Sequence, residues 1–259
     1  MSDADDWLGL ERRGPGHWRF ELTPPLSRFD AKLYGGTGLA AVTAVLEAET
    51  ERDALWATVQ FVASAEVGEQ IDCHLEVLAQ GHRTSQVRVT GTAGDRLVFA
   101  ALGATGQPRD GGLQVQVATM PEVTPPHDLL PWSPKVPFNL HAGNQGWLDT
   151  VDLREVPGPG AAMTLWARLR DRPMTWAGLG FVADMVPSAV VRAAGRAGGG
   201  TSLDNAIRFG PAPTGDWVLV ELDPQFASGG YAHGAARLWS SDGVHLATAS
   251  QTAVAIMFD

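Results

Sequence analysis

The chain has 259 residues, 44% of them hydrophobic and 19% charged, a globular composition with length for one large domain or two small ones. Its 19 basic residues against 29 acidic ones leave a net charge of -10, which excludes nucleic acid as the main partner, since that role needs a basic face. A single cysteine, Cys73, excludes an internal disulfide framework, and no uninterrupted apolar run is long enough to span a bilayer. The opening MSDADDWLGLERRGPG is acidic and lacks the apolar core of a signal peptide, so a soluble, cytoplasmic protein with no membrane association is expected.

In chain order, residues 1–14 read as a loose polar lead-in, and HWRFELTP (17–24) alternates as a strand that TPP stops. Tyr34-Gly35-Gly36-Thr37-Gly38 then opens LAAVTAVLEAE, a long and almost wholly apolar helix. The glycine pair lets the backbone approach a ligand or a neighbouring strand, and the helix start offers unpaired amides. The lysine and Ser/Thr of a phosphate loop are missing. Four strand-like runs follow: LWATVQFVA (55–63), QIDCHLEVLAQG (70–81), TSQVRVTGTA (84–93) and RLVFAALGAT (96–105). Ala93-Gly94-Asp95 joins the last two as a tight turn. Residues 106–141 are rich in proline and poor in periodicity, which reads as a linker crossing the surface, with Leu129, Leu130, Trp132 and Phe138 seeking burial.

The pattern then repeats. WLDTVDLREVP (147–157) and MTLWARLRD (163–171) are strand-like, and TSLDNAIRFG (201–210), DWVLVELDPQFAS (216–228), YAHGAARLWSS (231–241) and VHLATASQTAVAI (244–256) close the chain, the last two joined at Ser241-Asp242-Gly243. Between them, LGFVADMVPSAVVRAAGRAGGGTSL (179–203) reads as a loop carrying Asp184, a short apolar helix, a Gly-rich turn and a strand opening at Ser202. Asp184 is either the N-cap of that helix or the base of a site; a lone acid before a helix is more often a cap. Gly36 lies 59 residues before Asp95 (95 − 36) and Asp184 lies 58 before Asp242 (242 − 184), too long a period for a solenoid. The expectation is one domain twice: residues 15–105, a Pro-rich linker 106–141, and residues 142–259, each domain a curved antiparallel sheet around a central helix.

These stretches carry a resemblance. LWARLRDRPMTWAGLGFVADMVPSAV resembles the strand, crossing loop and second helix of the double-hotdog acyl-CoA thioesterases of the thioesterase II type. SLDNAIRF resembles their next strand, LWSSDGVHLATASQ their closing hairpin, and YGGTGLAAVTAVLEAE their Gly-Gly helix. The resemblance spans roughly residues 17–258 and implies an α+β tandem (double) hotdog fold and hydrolysis of acyl-CoA or a related acyl thioester, with no cofactor. In that family an Asp, a Thr or Ser, and a Gln hold the attacking water; matched residue by residue, these fall on Asp184, Ser202 and Gln251. Ser202 departs from the threonine usual in longer members, keeping the hydroxyl but losing the methyl that restricts its rotamer.

Hydrolysis of a thioester needs a held water, a base and donors for the oxyanion, and Asp184, Ser202 and Gln251 have those capacities. Gly35 and Gly36 are candidates for oxyanion amides, Trp176 for the wall of an acyl tunnel, and Arg192 and Arg196 for contacts to CoA phosphates, although a solvated turn accounts for the arginines as simply. Asp204 and Asn205 read as structural strand residues, and no histidine stands at a metal-ligand spacing, so no metal is expected. No GxSxG elbow supports a serine hydrolase. The alternatives are a dehydratase or hydratase of β-hydroxyacyl thioesters, which wants a His with the Asp, and a non-catalytic acyl-thioester-binding protein. Exposed sheet edges leave room for a homodimer.

Overall fold

Every residue from Gly35 to Leu46 is buried, so the helix they open, α1 (Gly35–Thr50), has no solvent face and must be wrapped by other structure. The wrapping is one 12-stranded sheet, seen in a computed structural model that describes residues 3–132, 146–158 and 163–258. Its strands are β1 (Glu11–Gly14), β2 (His17–Glu21), β3 (Asp53–Phe61), β4 (Gln70–Gln80), β5 (Thr84–Ala93), β6 (Arg96–Gly106), β7 (Val151–Glu155), β8 (Met163–Leu169), β9 (Gly198–Phe209), β10 (Val218–Ser228), β11 (Tyr231–Ser240) and β12 (His245–Met257). All pairings are antiparallel, in the order β1-β2-β4-β5-β6-β3-β9-β12-β11-β10-β8-β7. Read outward from the centre, the second half repeats the first strand for strand. This is the tandem hotdog, with α1 under the first half and α3 (Val186–Ala193) under the second.

The two halves meet where β3 pairs β9, with Thr58 opposite Ala206, Ala57 opposite Ile207 and Val59 opposite Asn205. A two-fold through the Thr58–Ala206 pair exchanges Ala57 with Asn205. In the neighbouring ladders Ala57 pairs Gly103 and Asn205 pairs Gln251, so the same operation exchanges Gly103 with Gln251.

Several local expectations need correction. The lead-in is structured: a 3-10 turn spans Asp3–Leu8, Leu8 and Leu10 are buried, and β1 pairs β2. Most of the segment expected as the loop before Asp184 is a helix, α2 (Trp176–Val182), begun by Thr175, whose hydroxyl accepts from the Gly178 amide at 3.0 Å. Its glycines imitate a loop in sequence, but Gly180 is where the helix meets α1, at Leu39 and Ala40. Residues Gly146–Asp149 form a 3-10 turn ahead of β7. β9 begins at Gly198, not near Ser202, because the glycines pair with Met257, Ile256 and Ala255; a Cβ on Gly198 would lie 2.2 Å from the Ile256 carbonyl oxygen.

The described part of the Pro-rich segment, up to residue 132, crosses the surface. Leu219 pairs Trp166 and Trp239 on the face of the sheet away from α3, and Ala118, Met120, Val123 and Leu129 cover them. Trp166 Nε1 donates to the Thr124 carbonyl at 2.9 Å, and Gln116 bonds to Gly243 and His245. Trp132 packs against the main core, whereas Leu130 is 85% exposed; Phe138 lies outside the described residues. No helix of the described residues is long and apolar enough to cross a membrane.

Candidate active site

Asp184 sits in the turn between α2 and α3 and is 7% exposed. It does not cap α3: the N-cap is Met185, with no side-chain cap bond. Its carboxylate instead reaches the first turn of α1, where Oδ2 accepts from the Gly36 amide at 2.7 Å. A helix start favours a negative charge there. The other oxygen, Oδ1, accepts from Asn205 Nδ2 at 3.0 Å, from Ser202 Oγ at 3.3 Å and, more closely, from Gln251 Nε2. Gln251 Nε2 also donates to Ser202 Oγ at 2.8 Å. The three residues matched by resemblance are thus one cluster, with Ser202 and Asn205 from β9 and Gln251 from the neighbouring β12.

Burial pushes the Asp184 carboxyl up to about 7, against the opposing pull of the bonds from Gly36, Asn205, Ser202 and Gln251. Tyr34, just before α1, donates its hydroxyl to the carbonyls of Phe181 (3.2 Å) and Asp184 (3.1 Å) and stacks on Trp147 at 4.8 Å. Burial holds that phenol well above its usual value, with the Asp184 charge adding to the effect. The turn carrying the acid is therefore fastened through its backbone as well as its side chain.

The glycine pair is here for close approach. A Cβ on Gly35 would lie 2.7 Å from Asp184 Oδ2 and 2.8 Å from Ser202 Oγ; one on Gly36 would lie 2.4 Å from the Phe181 carbonyl oxygen. The Gly36 amide points at Asp184, so it is committed to the acid instead of facing a substrate oxyanion.

Asn205, read from the sequence as a structural strand residue, also joins the cluster. Strand alternation places positions 202 and 205 on opposite faces, yet both side chains reach Asp184. A β-bulge explains it: Thr252 pairs Asp204 and the next residue, Ala253, pairs Ser202, leaving Leu203 as the extra residue. The available signal was a polar residue two positions before buried Ile207, on the inward row of β9. Asn205 Oδ1 and Gln251 Oε1 are buried and have no protein hydrogen-bond partner among the described residues.

The remaining expected residues are not in this cluster. Trp176 opens α2 at the end away from Asp184, on the order of 10 Å along the helix, and packs into the core, its Nε1 without a hydrogen-bond partner among the described residues. Arg192 is in the last turn of α3 and pairs with Glu155 at 2.5 Å; Arg196 is exposed in the turn leading to β9. The cation at the start of β9 is Arg28, which donates to Thr201 Oγ1 at 2.8 Å and to the Gly200 carbonyl at 3.3 Å while pairing with Asp30.

Residues 22–106 match the family description of the acyl-CoA thioesterase N-terminal domain, and residues 116–255 that of the acyl-CoA thioesterase C-terminal domain. The chain belongs to the acyl-CoA thioesterase family. Membership of this thioesterase family supports acyl thioester hydrolysis in general as its chemistry. Among solved structures, it is similar to a provisionally assigned thioesterase from Novosphingobium aromaticivorans, with 30% identity and a TM-score of 0.87 over 98% of this chain and 99% of that one. It is similar in fold to an acyl-CoA thioesterase II from Mycobacterium marinum (21% identity, TM-score 0.75, 99% of each chain). A hotdog-fold protein from Alicyclobacillus acidocaldarius shares the same architecture (21% identity, TM-score 0.83, 100% of this chain and 99% of that one). Comparison with curated proteins found no significant match.

Proposed function

We propose that this thioesterase-family chain hydrolyses acyl-CoA to a free acid and CoA, using a water held by Asp184, Ser202 and Gln251 with Asn205 as a fourth partner. The observation that carries the reading is the convergence of Ser202, Asn205 and Gln251 on one carboxylate oxygen while the Gly36 amide holds the other. Every one of these partners donates, so the site is organised around the ionised acid. A carboxyl poised near 7 is a stronger base than an exposed aspartate and is still ionised in part at neutral pH. Water loses a proton to Asp184 as its oxygen bonds to the thioester carbonyl carbon. The tetrahedral adduct then breaks its C–S bond, and the proton on Asp184 passes to the departing thiolate. Ser202 and Gln251 orient the water, since a hydroxyl and a carboxamide each donate and accept. Among the described residues no histidine is a partner of Asp184, which favours hydrolysis over a dehydratase reading.

The test is release of free CoA, followed with a thiol reagent over acyl-CoAs of increasing chain length, for wild type and Asp184→Asn. Turnover that falls at least ~100-fold in the variant is the expected result for a lost general base. Turnover that survives the substitution removes Asp184 from the chemistry. Tight acyl-CoA binding without release overturns hydrolysis in favour of a binding or dehydratase role.

A further inference from the structure

At the outer part of the first half, β2 and β4 pair with His17 opposite His74 and Arg19 opposite Asp72. Trp18 and Cys73, between them in sequence, are buried, so His17, Asp72 and His74 share the opposite, outer face. The two imidazoles stack with centroids 4.3 Å apart and planes at 19°. His17 Nε2 lies 2.6 Å from Asp72 Oδ1, and one ligand atom from each residue falls within 4.8 Å of the others.

We propose that His17, Asp72 and His74 form a binding site for one divalent transition metal of the zinc, nickel and copper group. Three observations carry this. The donor set is two imidazoles and a carboxylate, which suits these ions. The ligand atoms are already gathered: tetrahedral ligands with bonds of about 2.0–2.1 Å stand about 3.3 Å apart, a spacing that side-chain rotation reaches from the present one. The backbone that carries them is a paired ladder, so little conformational freedom is lost on binding.

Arg19 completes the arrangement. Its Nε and Nη2 hold Asp72 Oδ1 and Oδ2, each at 2.8 Å, fixing the carboxylate plane as an outer-shell partner does in metal sites. The metal lies between His17 Nε2 and Asp72 Oδ1, releasing to solvent the proton that bridges them, and Oδ2 stays with the guanidinium. Three protein ligands leave a position for water. The ion ties β2 to β4 near the sheet edge formed by β1, independently of the chemistry at Asp184.

The full-length protein, stripped with EDTA, is titrated with zinc chloride by calorimetry at pH 7.5, and with cobalt(II) for its visible ligand-field bands. The expected result is one saturable equivalent per chain and a melting temperature that climbs with zinc. Replacing His17→Gln or His74→Gln weakens binding at least ~10-fold. His82→Gln, altered at an exposed turn position, leaves binding unchanged. Absence of a saturable phase overturns the site, as does a folded His74→Gln protein that binds zinc and gives cobalt bands like wild type.

Discussion

The Gly36 amide donates to Asp184 Oδ2 at 2.7 Å, so the acid of the second half of the chain caps the helix of the first. The carboxylate is held across the joint between two repeats instead of by its own helix. Charge position, helix start and glycine requirement are thereby one problem.

Gly35 and Gly36 separate under substitution. In Gly35→Ala the new methyl lies 2.7 Å from Asp184 Oδ2 and 2.8 Å from Ser202 Oγ, so one of them must move. Displacement of a catalytic group by even about 1 Å costs about 100-fold in rate, and turnover is expected to fall by that order while the fold survives. In Gly36→Ala the methyl meets the Phe181 carbonyl oxygen at 2.4 Å, and the backbone must yield; a loss of about 1–3 kcal/mol is expected in urea denaturation. Equal turnover in Gly35→Ala and wild type would mean that this crowding is absorbed elsewhere.

The pH dependence of stability has a definite sign. Asp184 is raised to about 7 from an unfolded value of about 3.9, so between these limits the native state binds more protons than the unfolded one. Its contribution is fully present below about pH 4 and is lost as pH climbs through about 7, by roughly 4 kcal/mol at most. Asp184→Asn should flatten that slope between pH 5 and pH 8. The comparison is of slopes, because Asn cannot accept from all four donors and places its own NH2 against one of them. Parallel denaturation profiles for the two proteins would show that the carboxylate ionises at little expense to folding.

Asn205 should leave its mark on the pH–rate profile. Its bond at 3.0 Å helps pull the Asp184 carboxyl down, so Asn205→Ala moves the acid limb of kcat/KM to higher pH. Asn205→Asp should move it further, because a second carboxyl would stand beside the first. An unshifted limb in Asn205→Ala, whatever the change in kcat, would limit Asn205 to packing.

The repeat, its strands apart from β1, and both hairpin turns were legible because alternation and turns built on Gly and Asp are local signals. α1 was legible for the same reason: an apolar run with no polar stripe can only be enclosed. Asp184, Ser202 and Gln251 were reached through resemblance, since three polar residues far apart in sequence carry no spacing rule. Asn205 was hidden by the bulge at Leu203, which reverses strand parity after the point where pattern reading fixes it. Asp184 as a cap for α1, and the meeting of His17 with His74, depend on tertiary pairings that no local pattern encodes.

The two-fold between β3 and β9 carries a consequence for stoichiometry. The operation that turns Asn205 into Ala57 and Gln251 into Gly103 spans the same number of residues as the step from Asp184 back to Gly36. By sequence interval, the donor that serves the acid is then the acid's counterpart in the first repeat. A centre related to this one by the two-fold would require a carboxylate at position 36, where even a methyl meets the Phe181 carbonyl oxygen. The first repeat carries Gly36, Ala57 and Gly103 where the second carries Asp184, Asn205 and Gln251, so an active-site titration should count one per polypeptide.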